Sequence, residues 1–122
     1  MSNDLYDRAV AISERAYAPY SNYLVGAAVR TRDGKVFEGV NVENAAYPLG
    51  VCAEKTALAK AVSEGYKPGD IEAIGITASP CGGCRQWLYE FRVGEVTFMS
   101  STGELVTYSA TELLPDTWDL PA

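Results

Sequence analysis

The chain holds three cysteines and no histidine. All three cysteines fall in two short motifs, Cys52-Ala53-Glu54 and Pro80-Cys81-Gly82-Gly83-Cys84. Three thiols with one carboxylate beside them make a tripod for a metal and an acid/base next to it. Without histidine, the usual general base and the usual zinc ligand are both missing. Any chemistry therefore falls to Cys, Glu, Asp, Lys, Tyr or a bound metal. Metal ligation requires thiolates. Both motifs stand where helices are predicted to begin, and there unpaired N–H groups and the helix dipole favour negative charge. Cys81 and Cys84, three apart in a first helical turn, point to one side and can chelate one ion. Cys52 arrives from a different helix as the third sulfur. Three soft thiolates select Zn²⁺, with Zn–S of about 2.3 Å, and imply one ion per chain.

A structural zinc site is closed by four protein ligands, whereas a catalytic one keeps three and leaves a place for water. This chain has no fourth cysteine to close the site. Glu54 could close it, but its place two residues after Cys52 better suits a carboxylate that moves protons to and from a zinc-bound water. Zinc with three thiolates is net negative, so its water is a weaker acid than on three neutral histidines. Lys55 and Arg85, just behind the cysteines in sequence, are candidates to offset this by donating to the sulfurs. A simple redox dithiol at Cys81 and Cys84 would leave Cys52 and Glu54 without a role.

The elements that must position these residues follow from hydrophobic spacing. Leu5, Ala9, Ile12 and Ala16 make one apolar face of a first helix, ended by Pro19. Leu24 to Thr31 reads as a buried strand, Asp33-Gly34 as a hairpin turn, and Val36 to Asn41 as the return strand. The segment from Asn41 to Gly50 is too polar and too broken by Pro and Gly to be regular. A second helix starts near Cys52, with Ala53, Ala57, Leu58, Ala61 and Val62 on its apolar side, and stops at Gly65. Ile71 to Ala78 reads as a buried strand. Pro80 opens a third helix through Cys84, Leu88 and Phe91. Two strands, Val96 to Ser100 and Leu105 to Ser109, flank a turn at Thr102-Gly103. The order α-β-β-α-β-α-β-β makes a mixed sheet with helices packed on it, in the α/β class.

Composition narrows the partners. At 122 residues, 48% hydrophobic, the chain reads as one globular domain over 1–122. The net charge of −6 and the lack of a basic cluster argue against nucleic acid or an anionic membrane. The longest uncharged apolar stretch, Leu24–Val29, is far too short for a membrane span. The start Met1-Ser2-Asn3-Asp4 lacks the cationic and apolar regions of a leader. Three cysteines in a C-x-x-C context fit metal binding in a reducing compartment, so a cytoplasmic protein is expected.

P-C-x-x-C downstream of a C-x-E is the all-cysteine form of the zinc-deaminase signature, in which Glu is the general acid/base. The run from Asn41-Val42-Glu43-Asn44 through Cys52-Ala53-Glu54-Lys55-Thr56-Ala57 resembles the active-site segment of the small homotetrameric cytidine deaminases. Tyr17-Ala18-Pro19-Tyr20-Ser21-Asn22-Tyr23 through Ala28, Ala61 through Gly65, Ser79 through Gln86, and Glu112-Leu113-Leu114-Pro115 resemble it too, so the likeness covers nearly the whole chain in order. The resemblance implies a cytidine-deaminase-like α/β/α sandwich with a five-stranded mixed sheet. It implies hydrolytic deamination of cytidine and 2′-deoxycytidine to uridine and 2′-deoxyuridine with release of ammonia, as in pyrimidine salvage. Cys52, Cys81 and Cys84 would hold the zinc, hydroxide on that zinc would attack C4, and Glu54 would shuttle the protons. Asn41 and Glu43 would bind the ribose 3′-hydroxyl, the backbone N–H of Ala53 the 2-oxo group, and Tyr23 would line the base pocket. Tyr47 and Trp118 would contribute to sites of neighbouring subunits in a homotetramer.

Several positions depart from that pattern. Lys55 stands where the family usually has Arg, putting a point charge in place of a forked donor. Tyr23 replaces the more usual Phe and adds a hydroxyl. The segment between Gly65 and Cys81 and the tail after Pro115 are both short. Three other readings compete with nucleoside deamination. A deaminase for another aminopyrimidine would turn over a nucleoside antibiotic, a free base or an aminopyrimidine nucleotide, although a carboxylate at Glu43 would repel a nearby phosphate. A polynucleotide editor would show strongly salt-dependent RNA binding. A non-catalytic zinc module would hold zinc without turnover.

Overall fold

A computed structural model describes residues 3–119. Its centre is β3 (Ile71–Ile76), an apolar run buried on both faces apart from the half-exposed Glu72. In chain order the other elements are α1 (Asn3–Ser13), β1 (Gly26–Thr31), β2 (Val36–Val40), a 3₁₀ turn (Tyr47–Leu49) and α2 (Ala53–Ser63). After β3 come α3 (Gly82–Glu90), β4 (Glu95–Met99), β5 (Leu105–Tyr108) and α4 (Ala110–Leu113). The five strands form one sheet in the order β2-β1-β3-β4-β5. Only β3 and β4 run parallel, and α3 is their crossover; the other neighbours are antiparallel. The mixed five-stranded sheet with flanking helices is the architecture expected from the sequence. No helix among the described residues is long and apolar enough to cross a membrane.

Strand periodicity assigns the two faces. Phe37, Val29, Ile74 and Val96 sit side by side in register across four strands. With Ala27, Ile76 and Phe98 they pack against Leu58 of α2 and Leu88 of α3 in the larger core. The opposite residues, Ala28 and Ala73, pack with Leu5 of α1. The result is three layers, with α1 on one face and α2 and α3 on the other. Both helix layers lie close on the sheet because glycines face them. A Cβ on Gly39 would fall 2.5 Å from Ala57 N and 2.8 Å from Ala53 O, so β2 and the first turns of α2 meet backbone to backbone. A Cβ on Gly75 would fall 2.5 Å from Leu5 C and Tyr6 N of α1.

The elements differ from the sequence reading mainly at their ends. β1 begins at Gly26 rather than Leu24, because the Val25 N–H donates to the Asn41 side chain (2.9 Å) instead of a strand partner. β3 ends at Ile76, two residues short of Ala78. α1 ends at Ser13, well before Pro19. Two elements were not anticipated. The 3₁₀ turn lies in the stretch read as irregular, and Pro48 fits its early position. The short α4 is opened by a capping box in which Ser109 and Glu112 bond reciprocally. Gly65, at φ 101°, closes α2 as expected.

Candidate metal and substrate site

The two cysteine motifs meet at one end of the sheet, beyond the carboxyl end of β3. Cys52 is the N-cap of α2 and Cys81 the N-cap of α3. Cys84 lies in the first turn of α3 and is fully buried. The Sγ atoms of Cys52, Cys81 and Cys84 all lie within 4.8 Å of one another, and none is in a disulfide. Zinc at 2.3 Å from each of three tetrahedral sulfurs would separate them by about 3.8 Å; Cys52 and Cys81 stand 3.9 Å apart. The donor set and spacing therefore fit one zinc ion per chain. Among the described residues no fourth Cys, Asp or Glu joins this cluster.

Electrostatics at the two helix starts separates the thiols. Cys52 titrates near 6, lowered first by hydrogen bonding from Cys84, then by Cys81 and by the Lys55 ammonium. Cys84 is pushed up, because it donates to Cys52 and is buried beside the Glu54 and Cys52 charges. Between Cys52 and Cys84 the thiolate thus forms at Cys52, which is half-exposed.

Glu54, in the first turn of α2, is only 4% exposed. Burial raises its carboxyl to about 7, with the Cys52 charge adding to the shift. A hydrogen bond from its own backbone N–H pulls the other way. The arrangement places a carboxyl that exchanges protons near neutrality beside the metal ligands.

A cleft of about 360 Å³ opens in front of this pair. Cys52, Ala53, Glu54 and Cys81 form one wall, while Asn41, Glu43 and Tyr23 form the other, with Tyr47 at the rim. Glu43 is held by its neighbours: its carboxylate accepts from the Tyr20 N–H (2.9 Å), from the Ser21 N–H (3.2 Å) and from the Ser21 hydroxyl. The Ser21 hydroxyl bond leads the causes that lower its pKa, so it stays ionised. Asn41 ties the strand entry, accepting from the Val25 N–H and donating to the Tyr23 carbonyl (both 2.9 Å). Both amide atoms still have capacity for a further partner.

The remaining sequence candidates lie outside the cleft. Trp118 is 71% exposed and does not line it. Lys55 points into a neighbouring groove beside Trp87. Arg85 donates to the carbonyls of Pro80 (2.8 Å) and Leu113 (3.1 Å) and to the Ser79 hydroxyl (3.2 Å). Those contacts clamp the turn that carries Cys81 rather than reaching the sulfurs, because the guanidinium sits between α3 and the end of α4. Ser21 is the residue that sequence reasoning passed over. Its signal is its place two before Tyr23, where a hydroxyl can order a turn; it accepts from the Tyr23 N–H at 3.0 Å.

Residues 1–100 match the family model described as the cytidine and deoxycytidylate deaminase zinc-binding region. The chain belongs to this family. Among the curated deaminases, a probable cytidine deaminase of Dictyostelium discoideum is 46% identical over 115 residues, 82% of this chain and 77% of that one. A cytidine deaminase of Halalkalibacterium halodurans is 42% identical over 119 residues, 91% of this chain and 89% of the relative. Among solved structures of the deaminase fold, the crystal structure of cytidine deaminase from Burkholderia pseudomallei superimposes with a TM-score of 0.89 at 45% identity. That match spans 97% of this chain and 99% of the other.

Proposed function

We propose that this chain is a zinc-dependent hydrolase that deaminates cytidine and 2′-deoxycytidine to the uridines with release of ammonia, in pyrimidine salvage. The observation that carries the reading is the buried Glu54 carboxyl, poised near 7, beside the three-thiol cluster whose Cys52 and Cys81 line the cleft. Cys52, Cys81 and Cys84 would hold a zinc ion, which would supply the Lewis acidity that makes water nucleophilic near neutral pH. Glu54 takes a proton from the attacking water and passes it to N3 of the ring; it then takes the proton of the hydroxyl formed on C4 and delivers it to the amine, so that the C4–N bond breaks, ammonia leaves and the C4 carbonyl forms. The first N–H groups of α2 have no partner within the helix, so that of Ala53 is free to receive the 2-oxo group. Glu43, fixed and ionised, accepts from the ribose 3′-hydroxyl together with Asn41, and Tyr23 flanks the base. The names of the relatives, two cytidine deaminases and one probable cytidine deaminase, support this substrate class.

The same carboxylate argues for a nucleoside rather than a nucleotide, since a 5′-phosphate nearby would meet Glu43 with like charge. Tyr47, 85% exposed at the rim of the cleft, supports a homotetramer in which neighbouring subunits complete each site; exposed Trp118 is the second aromatic assigned to such contacts. One domain over 1–122 carries all these groups, the free thiols suit a reducing cytoplasm, and the net charge of −6 suits no nucleic-acid partner.

The test is a comparison of cytidine, 2′-deoxycytidine and deoxycytidine 5′-monophosphate by ultraviolet absorbance with zinc-loaded protein. The two nucleosides should exceed the nucleotide in kcat/KM by at least about tenfold, as like-charge repulsion requires. Preference for the nucleotide, or no turnover of either nucleoside, would overturn the assignment.

A further inference from the structure

Lys55 and Trp87 belong to neither wall of the substrate cleft. They face a separate, largely apolar groove of about 560 Å³ bordered by Phe37, Val51 and Thr56. The Lys55 ammonium stands 5.9 Å from the centroid of the Trp87 ring. Phe91, which caps the end of α3, stacks on that ring with centroids 6.2 Å apart and planes 14° apart. On its other side the ammonium meets the cysteine turn. A Cβ built on Gly83 would lie 3.6 Å from Lys55 Nζ and 3.9 Å from Cys81 Sγ, so the bare glycine leaves the space between cation and sulfur open. Among the described residues Lys55 makes no ion pair with a carboxylate.

Lysine carries a hydrated point charge on a flexible four-carbon stem. It lacks the fork with which an arginine would fix itself to two acceptors. Something else must keep its charge over the thiolates, and the indole face is the group within reach. We infer that Trp87 is a positioning residue for the zinc site: its ring holds the Lys55 ammonium by cation–π attraction against the Cys81-Gly82-Gly83-Cys84 turn, so that this cation offsets the negative charge of the zinc-binding thiolates. Trp87 acts through Lys55 and touches neither metal nor substrate. The inference rests on the zinc site and is independent of which base is deaminated.

The experiment measures zinc affinity, by competition with a chromophoric chelator at fixed pH, in wild type, Trp87→Phe, Trp87→Leu, Lys55→Met and the Lys55→Met/Trp87→Leu double variant. Circular dichroism establishes that each is folded. Removing the cation should weaken zinc binding by about tenfold, as losses of groups around metal ligands do. Trp87→Leu should weaken it by about two- to fivefold, the scale of one exposed cation–π contact, and Trp87→Phe, which keeps a π face, by less than about twofold. In the Lys55→Met background Trp87→Leu should have no further effect. An unchanged affinity in Trp87→Leu, or an equal loss with and without Lys55, would overturn the proposal, because a packing role alone needs no cation. Should Trp87→Leu fail to fold, Trp87→Met fills the same gap with an adaptable chain and repeats the comparison. Because zinc is read directly, failure here is distinguishable from failure to deaminate cytidine.

Discussion

Glu54 does two things that conflict in the absence of metal. Its burial suits proton transfer, but an ionised carboxyl there is costly to keep. Its folded-state pKa, about 7, lies above the ordinary 4.5, so the sign is fixed. Below about 4.5 folded and unfolded chains both hold the proton. Between 4.5 and 7 only the folded chain does, and stability falls as pH rises. Above 7 the full cost is present, on the order of 3 kcal/mol. Metal-free Glu54→Gln should therefore gain stability over metal-free wild type as pH rises through that window, in urea titrations at pH 4, 6 and 8. A constant difference would contradict the burial argument. Glu43 offers a second residue-scale prediction. Glu43→Gln should lower kcat/KM for cytidine by about ten- to a hundredfold, the range of a hydrogen bond to a charged group, mostly through KM. Ser21→Ala should follow in the same direction, more weakly, and an unchanged KM in both would remove the sugar-binding role. At this scale the sequence was most legible where spacing is chemistry. C-x-E and P-C-x-x-C carry their geometry within a helical turn. The Ser21 bond to Glu43 joins residues 22 apart, and the Arg85 bond to Leu113 spans 28; no local pattern encodes such pairs.

The elements exist to bring two helix starts to one point. Gly39 shows how: its missing side chain lets α2 rest on β2, and the depth of that contact fixes where Cys52 and Glu54 stand. Gly39→Ala should destabilise the fold by about 1–3 kcal/mol, as overpacking does, and should weaken zinc binding as well. Denaturation and zinc titration of the same sample test both, and a neutral substitution would show that α2 is free to shift. The order of strands and long helices was readable because hydrophobic period separates strand from helix over six or more residues. α4 is four residues long, too short to show a period, although Ser109-Ala110-Thr111-Glu112 spells its capping box. The start of β1 is not legible in the sequence, because apolar Leu24 and Val25 extend the strand pattern while a side chain, Asn41, takes the hydrogen bond that would have continued it.

For the whole molecule, the three layers leave a cleft whose floor is buried and whose rim is exposed. Zinc binds the folded arrangement of three sulfurs drawn from two helices, so it should stabilise that arrangement by mass action, by about 4 kcal/mol when free zinc is a thousandfold above Kd. A chelator should lower Tm, and added zinc should restore it; a Tm indifferent to chelation would mean that the cluster does not hold the metal. The most direct measurement pairs wild type with Glu54→Gln, scoring zinc per chain and conversion of cytidine to uridine on the same preparations. One zinc per chain is expected in both, with turnover in wild type and a loss of at least about a hundredfold in the variant, the scale of general acid–base catalysis. Equal turnover in the two proteins, with zinc in both, would contradict the proton-transfer role of Glu54.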